Sequence, residues 1–86
     1  MSEEGIATQL LQQSVGKDVL VKLKGRRSVR GKIKGFDKQM NIVITEAVEI
    51  LEQPANNNSP EKGKDQESPV GDALIRGDNV ITIAIL

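Results

Sequence analysis

The 86-residue chain has no cysteine and no histidine. The first absence excludes disulfides and thiolate metal sites. The second removes the commonest metal ligand and the usual general base near neutral pH. Tryptophan and tyrosine are missing too, and Phe36 is the sole aromatic. No apolar run reaches the ~18 residues of a membrane-spanning helix. The opening MSEEGIATQ is acidic and lacks a signal-peptide core. Together these absences predict a soluble, cytoplasmic chain with no cofactor, no metal and no membrane partner, and they argue against an enzyme.

A chain of this length makes one small domain, 1–86. Such a domain buries only ~60–65% of its unfolded surface, so its core is thin. With disulfides and metals set aside, association with other chains is the remaining external source of stability.

The formal net charge is zero, yet charge is unevenly placed. Eight basic residues fall between Val15 and Lys34, with Asp18 the only acid among them. Seven acids fall between Glu46 and Asp72, against Lys62 and Lys64. A local basic face attracts a polyanion even when the total is zero, although a solvated strand surface has the same composition.

In GIATQLLQQSVG, Ile6, Ala7, Leu10 and Leu11 recur at helical spacing. This predicts a short helix over about 5–14, its apolar side packed on the domain and Gly16 as its stop. The period then changes to two. Val19, Val21 and Leu23 alternate with Leu20, Lys22 and Lys24, the pattern of a half-buried strand. After a Gly25-Arg26-Arg27 turn, Gly31 and Gly35 lie on the inward side of the next strand. Glycines there permit sharp bending and close backbone approach. A third strand follows from Asn41 to about Gln53, with an irregularity near Glu46-Ala47.

All three prolines fall within 54–69, which also holds Asn56-Asn57-Asn58 and mixed charge. That stretch predicts a flexible loop. Two further strands are expected, about Asp72 to Arg76 and Asn79 to Ile85. The last, NVITIAIL, is apolar on both faces. A doubly apolar strand is usual inside a layered sheet. At an exposed edge it invites pairing with another chain.

Two polar turns stand out: FDKQMN, Phe36–Asn41, and RGDN, Arg76–Asn79. Asp37 and Asn41 can close a turn through side-chain to backbone hydrogen bonds, and Arg76 can serve as a surface ion-pair partner. Their joint occurrence says more. A helix, five bent strands and these two turns resemble the Sm and Sm-like (Lsm) family, most closely its archaeal members. Residues 19–50, VLVKLKGRRSVRGKIKGFDKQMNIVITEAVEI, resemble the first motif of that family. Residues 73–83, ALIRGDNVITI, resemble its other motif.

The resemblance implies a mainly β fold. A short N-terminal helix would precede a strongly bent five-stranded antiparallel small barrel of SH3-like type. It also implies a ring of identical or related subunits, typically seven and sometimes six, in which the fifth strand of one subunit pairs with the fourth of the next. The implied ligand is uridine-rich single-stranded RNA held at the pore. One base would lie between Gln39 and Arg76, with Asn41 reading its Watson–Crick edge. Gly77 would permit close approach, Asp78 would contribute from the same turn, and Asp37 would orient Asn41 or Arg76 from behind. Arg26 and Arg27 are phosphate-contact candidates, a solvated hairpin tip being the other reading.

One residue departs from the family pattern. The position of Gln39 is often histidine or an aromatic in the family. Stacking on aromatics contributes ~1–3 kcal/mol per base, and an amide stacks less well. The rival readings are a ring-shaped scaffold that contacts RNA-processing proteins with little or no RNA binding, and a metal-dependent nuclease using Asp37 and Asp78. Lack of histidine, cysteine and clustered carboxylates weighs against the nuclease.

Overall fold

The computed structural model describes residues 5–52 and 66–86. Helix α1 spans Ile6–Ser14. The strands are β1 (Asp18–Leu23), β2 (Arg27–Phe36), β3 (Ile42–Leu51), β4 (Gln66–Ile75) and β5 (Val80–Ile85), with a short 3₁₀ turn at Gly77–Asn79 before the last. All ladders are antiparallel. The spatial order is β4-β3-β2-β1-β5.

The sheet curls because β2 bends. Gly31 lies against β3 so closely that a Cβ there would strike Ile44 and come within 2.7 Å of the Thr45 carbonyl. The register between β2 and β3 slips at this point. On β3, Glu46 takes a left-handed φ of 52° beside another slip at Ala47. Bulges of this kind tighten twist and turn a flat sheet into a barrel.

The curl buries alternate residues of each inner strand. Val19, Val21 and Leu23 meet Val29 and Ile33 of β2, Ile42, Ile44 and Ala47 of β3, and Ile75 of β4. Leu11 closes one end from α1.

Three expectations need correction. The apolar side of α1 does not pack down as a whole. Leu11 is buried, but Ile6 is 86% exposed and Leu10 51%. The helix meets the sheet only through its last turn. There the Gly16 N–H donates to the Ile33 carbonyl at 2.8 Å, from a φ of +86° that ends the helix. The loop expected over 54–69 falls outside the described residues as far as 65. Its last four residues belong to β4, with Pro69 opposite Val48. Proline is tolerated there because β4 is an edge strand, where a missing N–H breaks no outward ladder. Finally, Gly35 serves no close approach within the chain, for nothing lies within 4 Å of where its Cβ would stand.

Among the described residues no ladder joins β4 to β5, so both outer strands have a free edge. Large exposed apolar side chains sit on them: Val70 and Leu74 on β4, Ile81 on β5, and Leu86 just beyond it.

Candidate nucleic-acid interface

The turn between β2 and β3 is built around the Asp37 carboxylate. Its Oδ1 accepts the backbone N–H groups of Gln39 at 3.0 Å and Asn41 at 2.9 Å. Its Oδ2 accepts the Asn41 side-chain Nδ2 at 2.9 Å. The Asp37 N–H donates to the Asn41 carbonyl at 3.1 Å, closing the loop. These contacts, the Asn41 side chain foremost and then its backbone N–H, hold the Asp37 carboxyl below the usual carboxylate range. Met40 takes a left-handed φ of 66° so that its side chain turns back onto the core.

The turn before β5 joins this one. The Gly77 N–H donates to Asn41 Oδ1 at 2.8 Å. The two backbones touch here: a Cβ on residue 77 would collide with the Gln39 carbonyl and lie 2.9 Å from the Met40 carbonyl carbon. Only glycine fits. Arg76 Nη2 donates to Asp78 Oδ2 at 3.0 Å, so its own neighbour tethers the guanidinium. Both side chains remain largely exposed.

Asn41 therefore has a fixed sense. Its Oδ1 faces a donor and its Nδ2 faces an acceptor, so the amide cannot flip without losing both contacts. A carboxamide carries two N–H donors and two acceptor lone pairs. One of each is used within the protein. One donor and one acceptor remain, in a fixed order. A uracil edge satisfies both in one orientation, and cytosine in that orientation satisfies neither, because its N3 and exocyclic group have the opposite polarity.

The structure thus brings Asp37, Gln39, Asn41, Arg76, Gly77 and Asp78 to one place. Asp37 orients Asn41, while Arg76 is oriented by Asp78. Arg26 and Arg27 are not brought to it. The Arg26 carbonyl accepts Glu52 N–H at 2.9 Å and Arg27 pairs with Leu51, at the end of β3 remote from Ile42. The basic residue whose backbone does reach the turn before β5 is Lys24, whose N–H donates to the Asn79 carbonyl at 3.0 Å. Sequence reasoning passed over it. The signal was the pairing of the end of β1 with the start of β5, which appears only once strand order is known. The rest of the basic run is partly answered within the chain: Arg30 meets Glu67 at 3.2 Å and Lys32 meets Glu46 at 3.6 Å.

Comparison with known proteins bears on the family and the fold. The family model described as "LSM domain" matches residues 9–85. The chain is 44% identical over 55 residues to small nuclear ribonucleoprotein E of Saccharomyces cerevisiae, a match covering 64% of this chain and 55% of the yeast protein. Among solved structures, the Sm protein of Pyrococcus abyssii in complex with a uridine heptamer superposes with a TM-score of 0.69 at 32% identity, covering 96% of this chain and all of that one. The SmAP1 heptamer of P. aerophilum superposes with a TM-score of 0.73 at 28% identity, covering 96% of each chain.

Proposed function

Since the chain belongs to the LSM domain family, we propose that it assembles head to tail into a ring, probing single-stranded RNA at the pore and preferring uridine. In this reading it works in the cytoplasm as a scaffold or chaperone in RNA processing or turnover. The observation that carries the proposal is the Gly77–Asn41 hydrogen bond, which joins the two turns and, with the Asp37 contact, uses one donor and one acceptor of the amide and leaves one of each for a ligand. Ring assembly is supported by the free edges of β4 and β5, each bearing exposed apolar side chains. The relatives whose structures are heptamers, and the one holding a uridine heptamer, support both parts.

Gln39 and Arg76 flank the base, Asn41 reads it, and Asp37 and Asp78 position Asn41 and Arg76. Binding rather than catalysis fits the two carboxylates, whose oxygens are engaged by Asn41, Gln39 and Arg76. Among the described residues no group of three or more acidic or other ligating side chains converges to hold a metal. No helix among them is long and apolar enough to cross a membrane.

Titration of labelled oligo-uridine and oligo-cytidine at two salt concentrations tests this reading. Uridine preference that survives higher salt supports it. Equal binding that fades with salt reduces the protein to a phosphate binder. Absence of binding to either favours the protein-scaffold reading, for which the exposed Ile6 and Leu10 of α1 are the relevant observation.

A further inference from the structure

With no cysteine, histidine, tryptophan or tyrosine, the chain offers a mild oxidant only its two methionines. One of them, Met40, stands between Gln39 and Asn41 in the turn built on Asp37.

Met40 lies where the two turns press together. Its N–H donates to the Asp37 carbonyl at 3.0 Å. A Cβ on residue 77 would lie 2.9 Å from its carbonyl carbon and 3.0 Å from its carbonyl oxygen. Its φ of 66° is left-handed, a region that a residue other than glycine occupies only where its surroundings hold it. Part of that hold is the side chain, which packs on the buried core. Met40 is half-buried rather than sealed.

We infer that the Met40 thioether is a site of reversible oxidation, and that the sulfoxide form of the protein loses its base preference. The inference rests on the uridine reading proposed above. With hydrogen peroxide as the oxidant, the sulfur donates an electron pair to one peroxide oxygen. An S–O bond forms as the O–O bond breaks. Sulfur gives up two electrons, and the other oxygen leaves as water with both peroxide protons. A dithiol, acting through a methionine sulfoxide reductase, reverses the step: the oxygen leaves as water and the dithiol becomes a disulfide.

The consequence follows from polarity. The core that receives Met40 is made only of aliphatic side chains. A thioether packs well there, whereas a sulfoxide oxygen is an acceptor that such a core cannot satisfy. The oxidised side chain turns out to water, and residue 40 loses the anchor of its left-handed backbone. Asn41 is the next residue. Its 2.8 Å contact with the Gly77 N–H needs the two turns held together. Attraction of the basic strands for phosphate does not depend on that contact, so base discrimination is lost before RNA affinity as such.

The test is dilute hydrogen peroxide on the folded wild type and on Met40→Leu, which retains Met1. Peptide mass spectrometry locates the added oxygen, and circular dichroism follows the fold. Anisotropy gives oligo-uridine and oligo-cytidine affinities before oxidation, after it, and after methionine sulfoxide reductase with a dithiol. In the wild type, oxygen is expected on Met40. Uridine affinity should fall about tenfold or more, cytidine affinity should change little, and reduction should restore both. Met40→Leu, of similar volume, should keep its preference through the treatment. If that variant misfolds, recovery of the wild type on reduction carries the test instead. A Met40 that stays unoxidised in the folded protein, at peroxide concentrations that oxidise the urea-unfolded chain, overturns the inference. So does an oxidised Met40 with full uridine preference, a loss that reduction does not restore, or an equal loss in a folded Met40→Leu. A wild type without uridine preference before oxidation overturns the uridine reading and this inference together.

Discussion

The backbone N–H of Gly77 donates to the side-chain oxygen of Asn41 at 2.8 Å, across 36 residues of sequence. This contact makes one site of two turns. It orients the Asn41 amide, the group proposed to read the base, and it does so through backbone, which no ordinary side-chain substitution removes without a steric cost.

Replacing Asn41 separates reading from folding. Asn41→Asp keeps an acceptor for Gly77 but loses the outward donor and sets another carboxylate against Asp37. Affinity for oligo-uridine should fall by more than about tenfold, the size of one lost hydrogen bond to a partner left unpaired. Oligo-cytidine affinity should change much less. Fluorescence anisotropy on a variant shown by mass to keep its assembly checks this, and equal losses for both oligomers would contradict it.

Gly77→Ala should push the turns apart, because the added methyl meets the Gln39 and Met40 carbonyl groups. Overpacking of this kind costs about 1–3 kcal/mol. Lower thermal stability is expected, together with loss of uridine preference. Urea unfolding and the same anisotropy titration measure the two effects, and an unchanged preference would show that the turns need not touch.

Acid should spare the site longer than an ordinary carboxylate would allow. The folded pKa of Asp37 is lowered, so its stabilising contacts are present above the unfolded value of about 3.9 and are lost only as pH falls through the lower folded value. With no histidine in the chain, oligo-uridine affinity should be flat from about pH 6 to 8. Asp37→Asn should abolish the acid transition while weakening binding at every pH. A steep change near neutrality would place a different titrating group in the pocket.

Lys24 and the Arg26-Arg27 pair should behave differently. The Lys24 backbone meets Asn79 beside the turn before β5, whereas Arg26 and Arg27 are bonded to the far end of β3. Lys24→Ala should weaken uridine and cytidine binding alike and lower the salt dependence by about one unit per occupied site. Alanine at Arg26 and Arg27 together should leave the salt slope nearly unchanged. Affinity measured at several salt concentrations for both variants decides the matter.

The sequence disclosed those features whose cause is local. Asp37 and Asn41 are spaced to close a turn, Gly31 marks a bend, and the doubly apolar last strand asks for something beyond its own layer. What escaped it depends on neighbours distant in sequence. The exposed Ile6 and Leu10 follow from α1 touching the sheet only through its last turn, which the helical period does not encode. Pro69 reads as loop until β4 is known to be an edge. The two glycines of β2 are alike in sequence, yet one faces a wall of β3 and the other faces open space. The partner that fixes Asn41 is a backbone group 36 residues away, and a backbone N–H leaves no mark on composition.

The free edges of β4 and β5 have a consequence for identity. A ladder of backbone hydrogen bonds is made of groups every chain possesses, so an open edge does not by itself distinguish self from stranger. Whether a related chain is admitted into the same circle, or refused, then falls to the few side chains bordering the seam. Among the described residues, the large exposed apolar side chains beside those edges are Val70 and Leu74 on β4 and Ile81 on β5. A paralogue that differs at these positions would be sorted out by fit, while one that matches them would be incorporated whatever the rest of its surface carried.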